Sequence, residues 1–159
     1  MSKPLGEKWQ ATGDVRFSDI GALPAVGNFE ATPATGAQYG VSMQLTGSNL
    51  YSKRDINNFN LSLLSTPTFH GAQVAYNNLT GFDENKFTLE PSLRLYVQKD
   101  TAGAKMMRVT PGVRSSYNVS KRTSVMGEAM LEHSTNQGPT NHDTTNSVFF
   151  YFGVRYELF

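Results

Sequence analysis

Between residues 86 and 98, the odd positions Phe87, Leu89, Pro91, Leu93, Leu95 and Val97 are all apolar. The even positions Thr88, Glu90, Ser92, Arg94, Tyr96 and Gln98 are polar or amphipathic. Successive side chains of an extended strand point to opposite faces, so this alternation predicts a strand with one oily face. Residues 107–119 repeat it: Met107, Val109, Pro111, Val113, Tyr117 and Val119 oppose Arg108, Thr110, Gly112, Arg114, Ser116 and Asn118. A helical period would scatter both sets.

The same two-fold period recurs on either side of this pair. Trp9, Ala11, Val15 and Phe17 oppose Gln10, Thr12, Asp14 and Arg16, and Tyr39, Val41, Met43 and Leu45 oppose Gly40, Ser42, Gln44 and Thr46. Phe59, Leu61 and Leu63 oppose Asn58, Asn60 and Ser62, while Ala72, Val74 and Tyr76 oppose Gln73, Ala75 and Asn77. Val125, Ala129 and Leu131 oppose Met126, Glu128 and Glu132, and Val148, Phe150, Phe152, Val154, Tyr156 and Leu158 oppose Phe149, Tyr151, Arg155 and Glu157. About eight strands result, the smallest number usual for a membrane barrel. The expected fold is all-β: one domain over residues 1–159 forming an antiparallel, up-and-down transmembrane β-barrel. The alternative for this pattern is a soluble sandwich or lipocalin-like barrel, with the apolar face turned inward.

Connections sharpen the expectation. A long Gly/Pro/Ala segment spans residues 19–36 and a polar one residues 135–146, whereas only residues 120–123 separate the sixth and seventh segments. Outer-membrane barrels combine short periplasmic turns with longer outer loops. With both termini periplasmic, the two long connections would lie outside. Rings on the oily face should mark the headgroup levels: Trp9, Tyr76, Phe87, Tyr117 and Tyr156 at the periplasmic ends, and Phe17, Tyr39 and Phe150 at the outer ends. The segments Leu89-Glu90-Pro91-Ser92-Leu93-Arg94 and Val109-Thr110-Pro111-Gly112-Val113-Arg114 resemble each other. Proline cannot donate to a ladder, so each predicts a bulge or irregular pairing.

Composition changes this picture little. The mean hydropathy is −0.39, and no apolar run reaches the roughly 18 residues of a membrane helix; barrel strands average to a polar value because half their side chains face the lumen. The net charge of +1, without a basic run, gives no case for nucleic acid. The absence of cysteine removes disulfides and thiolate chemistry. The opening Met1-Ser2-Lys3-Pro4-Leu5-Gly6 lacks the apolar core of a signal peptide, so a mature domain or the C-terminal portion of a longer protein is expected.

The polar faces carry a balanced set of charges: Asp14, Glu90, Glu128, Glu132 and Glu157 with Arg16, Arg94, Arg108, Arg114 and Arg155. An eight-stranded barrel is just wide enough to be filled by side chains, and unpaired buried charge is costly. These residues are therefore expected to form a salt-bridged network filling a narrow lumen; in a wider barrel they would line water and tune ion passage.

The ending Phe149-Phe150-Tyr151-Phe152-Gly153-Val154-Arg155-Tyr156-Glu157-Leu158-Phe159 resembles the closing strand of bacterial outer-membrane barrels. That resemblance implies an assembly signal at Tyr156, Leu158 and Phe159 read by the barrel assembly machinery, although Phe159 falls one step out of phase with the oily set. The runs Gln44-Leu45-Thr46-Gly47-Ser48-Asn49-Leu50-Tyr51-Ser52, Leu61-Ser62-Leu63-Leu64-Ser65, Tyr76-Asn77-Asn78-Leu79 and Leu89-Glu90-Pro91-Ser92-Leu93 resemble the C-terminal barrel portion of tetratricopeptide-repeat outer-membrane proteins, among them exopolysaccharide exporters. Together these imply a Gram-negative outer-membrane location, with the lipid bilayer and lipopolysaccharide as surroundings.

Three functional classes follow: a non-enzymatic, membrane-anchoring or structural barrel with a charge-filled lumen, the barrel part of a larger export pore or porin, or a lipid hydrolase. The last rests on His133-Ser134-Thr135, which resembles the histidine and serine segment of lipid A deacylases. That family's serine lies two residues after the histidine, where this chain has Thr135, and Ser134 on a strand points to the opposite face from His133. No catalytic set is therefore assigned. His70, His133 and His142 show no metal-ligand spacing, and no metal or cofactor is expected.

Overall fold

A computed structural model describes residues 2–22, 33–34 and 36–157. Every segment with two-fold period is a strand: β2 (Trp9–Ile20), β3 (Gly36–Ser48), β4 (Asp55–Ser65), β5 (Phe69–Phe82), β6 (Phe87–Asp100), β7 (Lys105–Asn118), β8 (Thr123–Gln137) and β9 (His142–Tyr156). A short strand precedes them, β1 (Ser2–Pro4), too brief to show alternation. All nine form one antiparallel sheet in chain order, each hydrogen-bonded to its sequence neighbours. The only helical turn among the described residues is Asp83–Asn85.

Register keeps the two faces separate across the whole sheet. Gln10 opposes Thr46, Thr46 opposes Asn58, Asn58 opposes Asn77, and Asn77 opposes Ser92; the line continues through Gly112 and Met130 to Phe149. It starts at the second residue of β2 and ends in the middle of β9. The strands are thus progressively staggered, as they must be in a sheet that tilts around a barrel axis.

The two prolines perturb pairing without a bulge. The β5–β6 ladder skips the pairs opposite Glu90 and Pro91, then resumes at Thr80 and Leu89 in unchanged register. The β7–β8 ladder skips Thr110 and Pro111 in the same way. Between β6 and β7 pairing is continuous, with Pro91 opposite Val113 and Leu93 opposite Pro111, so the two similar hexapeptides lie side by side. Each gap lies on the side away from the other proline's strand, as expected where a residue without an N–H costs the ladder a bond.

Connections correct one expectation. Call the end holding the β3–β4, β5–β6 and β7–β8 turns the near rim, and the opposite end the far rim. The polar stretch 135–146, expected as a long outer loop, is mostly strand: β8 runs to Gln137, β9 starts at His142, and Gly138 N–H closes the turn on Asn141 C=O at 2.9 Å. Its threonines and asparagines are polar but ladder-competent, and only Gly138-Pro139-Thr140-Asn141 has turn chemistry. The other expected long loop, between β2 and β3, lies mostly outside the described residues. In the near-rim turn Asp83–Asn85 all three residues have positive φ (47°, 56° and 68°).

Two features of this sheet bear on what its faces can do. No large hydrophobic side chain is buried among the described residues, and the buried positions are polar. The sheet is also open: β9 and β2 have no Cα atoms within 8 Å of each other among the described residues, and β1 lies on the outer edge of β2 along Gln10–Thr12.

Candidate functional site

The register assembles one continuous apolar face, here the outward face. On it, Phe17, Tyr39, Met43, Val74, Phe150 and Phe152 are each more than half exposed. Of the 29 large hydrophobic side chains left exposed among the described residues, 22 lie on this face, four on the other and three in turns, so the apolar surface is directional rather than scattered. Apolar area of that extent marks an interaction surface.

Rings gather at its margins, only partly as anticipated. Trp9, Phe87, Tyr117 and Tyr156 sit at or next to the near-rim ends of their strands, and Phe17 and Tyr39 stack at 5.1 Å near the far rim. Tyr76 and Phe150 do not belong to the rims: β5 continues to Phe82 and β9 begins at His142, leaving both near mid-strand. The error came from ending each strand where its apolar alternation faded. One further ring joins the near rim, Phe82 at 5.7 Å from Phe87, while Phe59, mid-strand in β4, bridges Trp9 (6.4 Å) to Tyr76 (4.8 Å). Trp9 and Leu50 close over Gly47, where a Cβ would lie 2.7 Å from each side chain.

Beneath this ring row is a polar cluster that alternation did not reveal. Asp55 and Asn57 are 1% and 0% exposed although both stand on the outward face. The Asp55 carboxylate accepts the N–H groups of Leu50 (2.7 Å) and Tyr51 (2.8 Å) and the Asn57 amide (3.1 Å). Asn57 Oδ1 in turn accepts the Tyr76 hydroxyl and the Asn78 amide, each at 2.9 Å, and Asn78 Oδ1 accepts the Thr80 hydroxyl at 2.6 Å. Each buried acceptor is satisfied, which makes the cluster a clasp for the β3–β4 turn. The signal was present in sequence: Asp55, Asn57, Asn78 and Thr80 are polar residues in the oily phase.

The inner face holds the expected charges. Asp14 and Arg16 pair within β2 (2.8 Å), Glu132 of β8 with Arg108 of β7 (3.5 Å), Glu128 with Arg114 (3.4 Å), and Arg155 with Glu157 at the end of β9 (3.1 Å). Glu90 is the cross-strand neighbour of Arg114, whose guanidinium turns instead to Glu128; neither Glu90 nor Arg94 has an ion-pair partner among the described residues. The paired side chains are 31% to 85% exposed. They form separate pairs on an accessible surface, with polar contacts such as Thr46 to Asn58 (2.8 Å) and Thr88 to Ser116 (2.6 Å) around them.

His133 stands on the outward face and its Nδ1 is 2.7 Å from the Asn146 amide oxygen; Ser134 points inward, and Thr135 shares the face of His133. His70, His133 and His142 lie on β5, β8 and β9, and no cluster of three metal-ligating side chains occurs among the described residues. Of the expected assembly signal, Tyr156 is the last residue of β9, while Leu158 and Phe159 lie outside the described residues.

The fold and its faces define a class: an all-β, antiparallel meander with one uncovered apolar face and one polar face. Comparison with protein-family models, curated proteins and solved structures finds no match to this chain.

Proposed function

We propose that the chain forms wall of a bacterial outer-membrane β-barrel, with a non-enzymatic role, its outward face against lipid and its polar face toward the lumen. The observation that carries this reading is the uncovered apolar face, with no large hydrophobic side chain buried among the described residues. Strand length supports it. The 14 residues of β6 span roughly 46 Å at about 3.3 Å each; tilted by about 40°, they cross about 35 Å, enough for a hydrocarbon band of roughly 25 Å and its flanks.

Two details favour a barrel wider than eight strands, with a wet lumen of the pore or exporter kind, over a narrow plugged one. β1 occupies part of the edge of β2 that β9 would need to close an eight-stranded ring from this chain. The inner-face ion pairs between β7 and β8 also keep 31% to 52% of their side-chain surface exposed, more than a fully plugged lumen would leave.

Because the chain has no cysteine, introduced thiols report each face directly. Protein in vesicles is expected to react with a water-soluble maleimide at Arg94→Cys and Ser92→Cys but not at Leu93→Cys or Leu95→Cys, with nitroxide lipids quenching the reverse set. A bulky polyethylene-glycol maleimide should still reach Ser92→Cys in a wide lumen. Equal labelling of both faces, or a purified chain that stays soluble and monomeric without detergent, rules the membrane reading out.

A further inference from the structure

One line of opposed residues on the outward face runs along the far rim. Ser65 opposes His70, His70 opposes Lys99, Lys99 opposes Lys105, Lys105 opposes Gln137, and Gln137 opposes His142. Two residues nearer mid-strand, the parallel line Leu63, Ala72, Val97, Met107, Thr135 is largely apolar. Lys99 and Lys105, side by side on neighbouring strands, should repel each other, and neither has an ion-pair partner among the described residues. Among the described residues, the carboxylates that adjoin this line in sequence are turned away: Asp100 and Asp143 lie in the inner-face phase, Asp100 accepting the Ala104 N–H (2.7 Å) and Asp143 the Asn141 amide (3.5 Å). Between the two lines opens a groove of about 480 Å³, lined by His70, Lys99 and Lys105 and by Ala72, Val97 and Met107.

The near rim of the same face lacks this character. Its margin is aromatic, and Lys86, in the adjoining turn, lies 5.7 Å over the Tyr117 ring. Among the described residues, the far rim alone thus offers unneutralised ammonium groups directly above an apolar floor.

We propose that this groove seats a phosphorylated lipid of the surrounding leaflet, its phosphate between Lys99 and Lys105 and the first carbons of its acyl chain against Ala72, Val97 and Met107. This rests on the membrane reading above and extends it by naming a headgroup and its place. Depth agrees: Lys99 is six residues from Leu93, near the middle of β6, which along a tilted strand puts it roughly 15 Å from that level, where headgroups begin. His70, whose Nδ1 is held by the Ser65 hydroxyl (2.8 Å), presents its other ring nitrogen as a further donor when that atom carries the proton.

The test uses the full chain in neutral maltoside micelles, with lipid binding read by native mass spectrometry. Dioctanoyl phosphatidic acid is expected to bind well ahead of dioctanoyl phosphatidylcholine, and inorganic phosphate alone to compete poorly, because it has nothing to lay on the apolar floor. Lys99→Gln/Lys105→Gln should weaken phosphatidic acid binding roughly thirtyfold, from the worth of two basic side chains near an anionic surface, while Lys53→Gln/Lys121→Gln in near-rim turns leaves it unchanged. Equal affinity of parent and Lys99/Lys105 variant, or equal weakening by the near-rim control, overturns the proposal. A parent chain that inserts into phosphatidylcholine vesicles yet shows no such preference defeats this inference alone; one that does not insert defeats the membrane reading beneath it.

Discussion

Replacing Leu93 by arginine is the most direct challenge to the outward face. Leu93 lies six residues from Phe87 and seven from Asp100, the ends of β6, with Tyr76 and Pro111 as cross-strand neighbours, and it is 40% exposed. Against hydrocarbon at mid-depth, an arginine costs about 2 to 4 kcal/mol, and near the interface about 0 to 1 kcal/mol. Val97, four residues on, lies roughly 13 Å along the strand and about 10 Å along the membrane normal from Leu93, close to the edge of a band of about 25 Å. Leu93→Arg should therefore lose at least about 2 kcal/mol, some thirtyfold in the folding equilibrium, and Val97→Arg about 1 kcal/mol or less. Urea unfolding in phosphatidylcholine vesicles measures both, with the single tryptophan, Trp9, as reporter. Were the face in water, each substitution at so exposed a site would fall within about 0.5 kcal/mol of the parent; equal, small losses at the two positions would refute the reasoning.

Four other outcomes can be checked alongside. Asn57→Ala removes an acceptor from Tyr76 and Asn78 and a donor from Asp55, so a loss of about 1 to 3 kcal/mol is expected in the same unfolding assay. Gly47→Val drives a branched side chain into Trp9 and Leu50; it should cost about 1 to 3 kcal/mol and shift Trp9 emission. A double-mutant cycle on Arg114 and Glu128 should give a coupling of at most about 1 kcal/mol, as for solvent-accessible pairs, whereas a value near 3 kcal/mol would point to a dry, narrow lumen. Glu84→Gly relieves a left-handed residue in the β5–β6 turn and should raise stability by up to about 1 kcal/mol.

Alternation alone located all eight long strands and assigned their faces, because a side-chain period of two is a direct consequence of the extended backbone. Strand ends were harder. Thr135, Asn136 and Thr144–Asn146 read as loop because they are polar on both faces, yet Cα pairing across β8 and β9 runs unbroken from Gln137 and His142 to Thr123 and Tyr156. The ten inner-face charges were legible as a set, but their pairing was not: residues such as Arg114 have candidate carboxylates on both neighbouring strands, Glu90 and Glu128, and side-chain reach decides between them. Asp55, Asn57 and Lys99 carried a signal that went unread, since each is a polar residue in the oily phase. Whether such a residue is a clasp or a headgroup contact depends on its neighbours across strands, which one strand's sequence does not contain.

The prolines break individual bonds, yet no ladder from β2 to β9 gains or loses a residue. Parity is therefore a quantity the whole sheet shares. Deleting a single residue in the middle of β6 would turn half of that strand over, setting Arg94 on the apolar face and Leu95 on the polar one. Gains and losses of length within the strands are consequently tolerable only in pairs, which confines single-residue insertions to the connections.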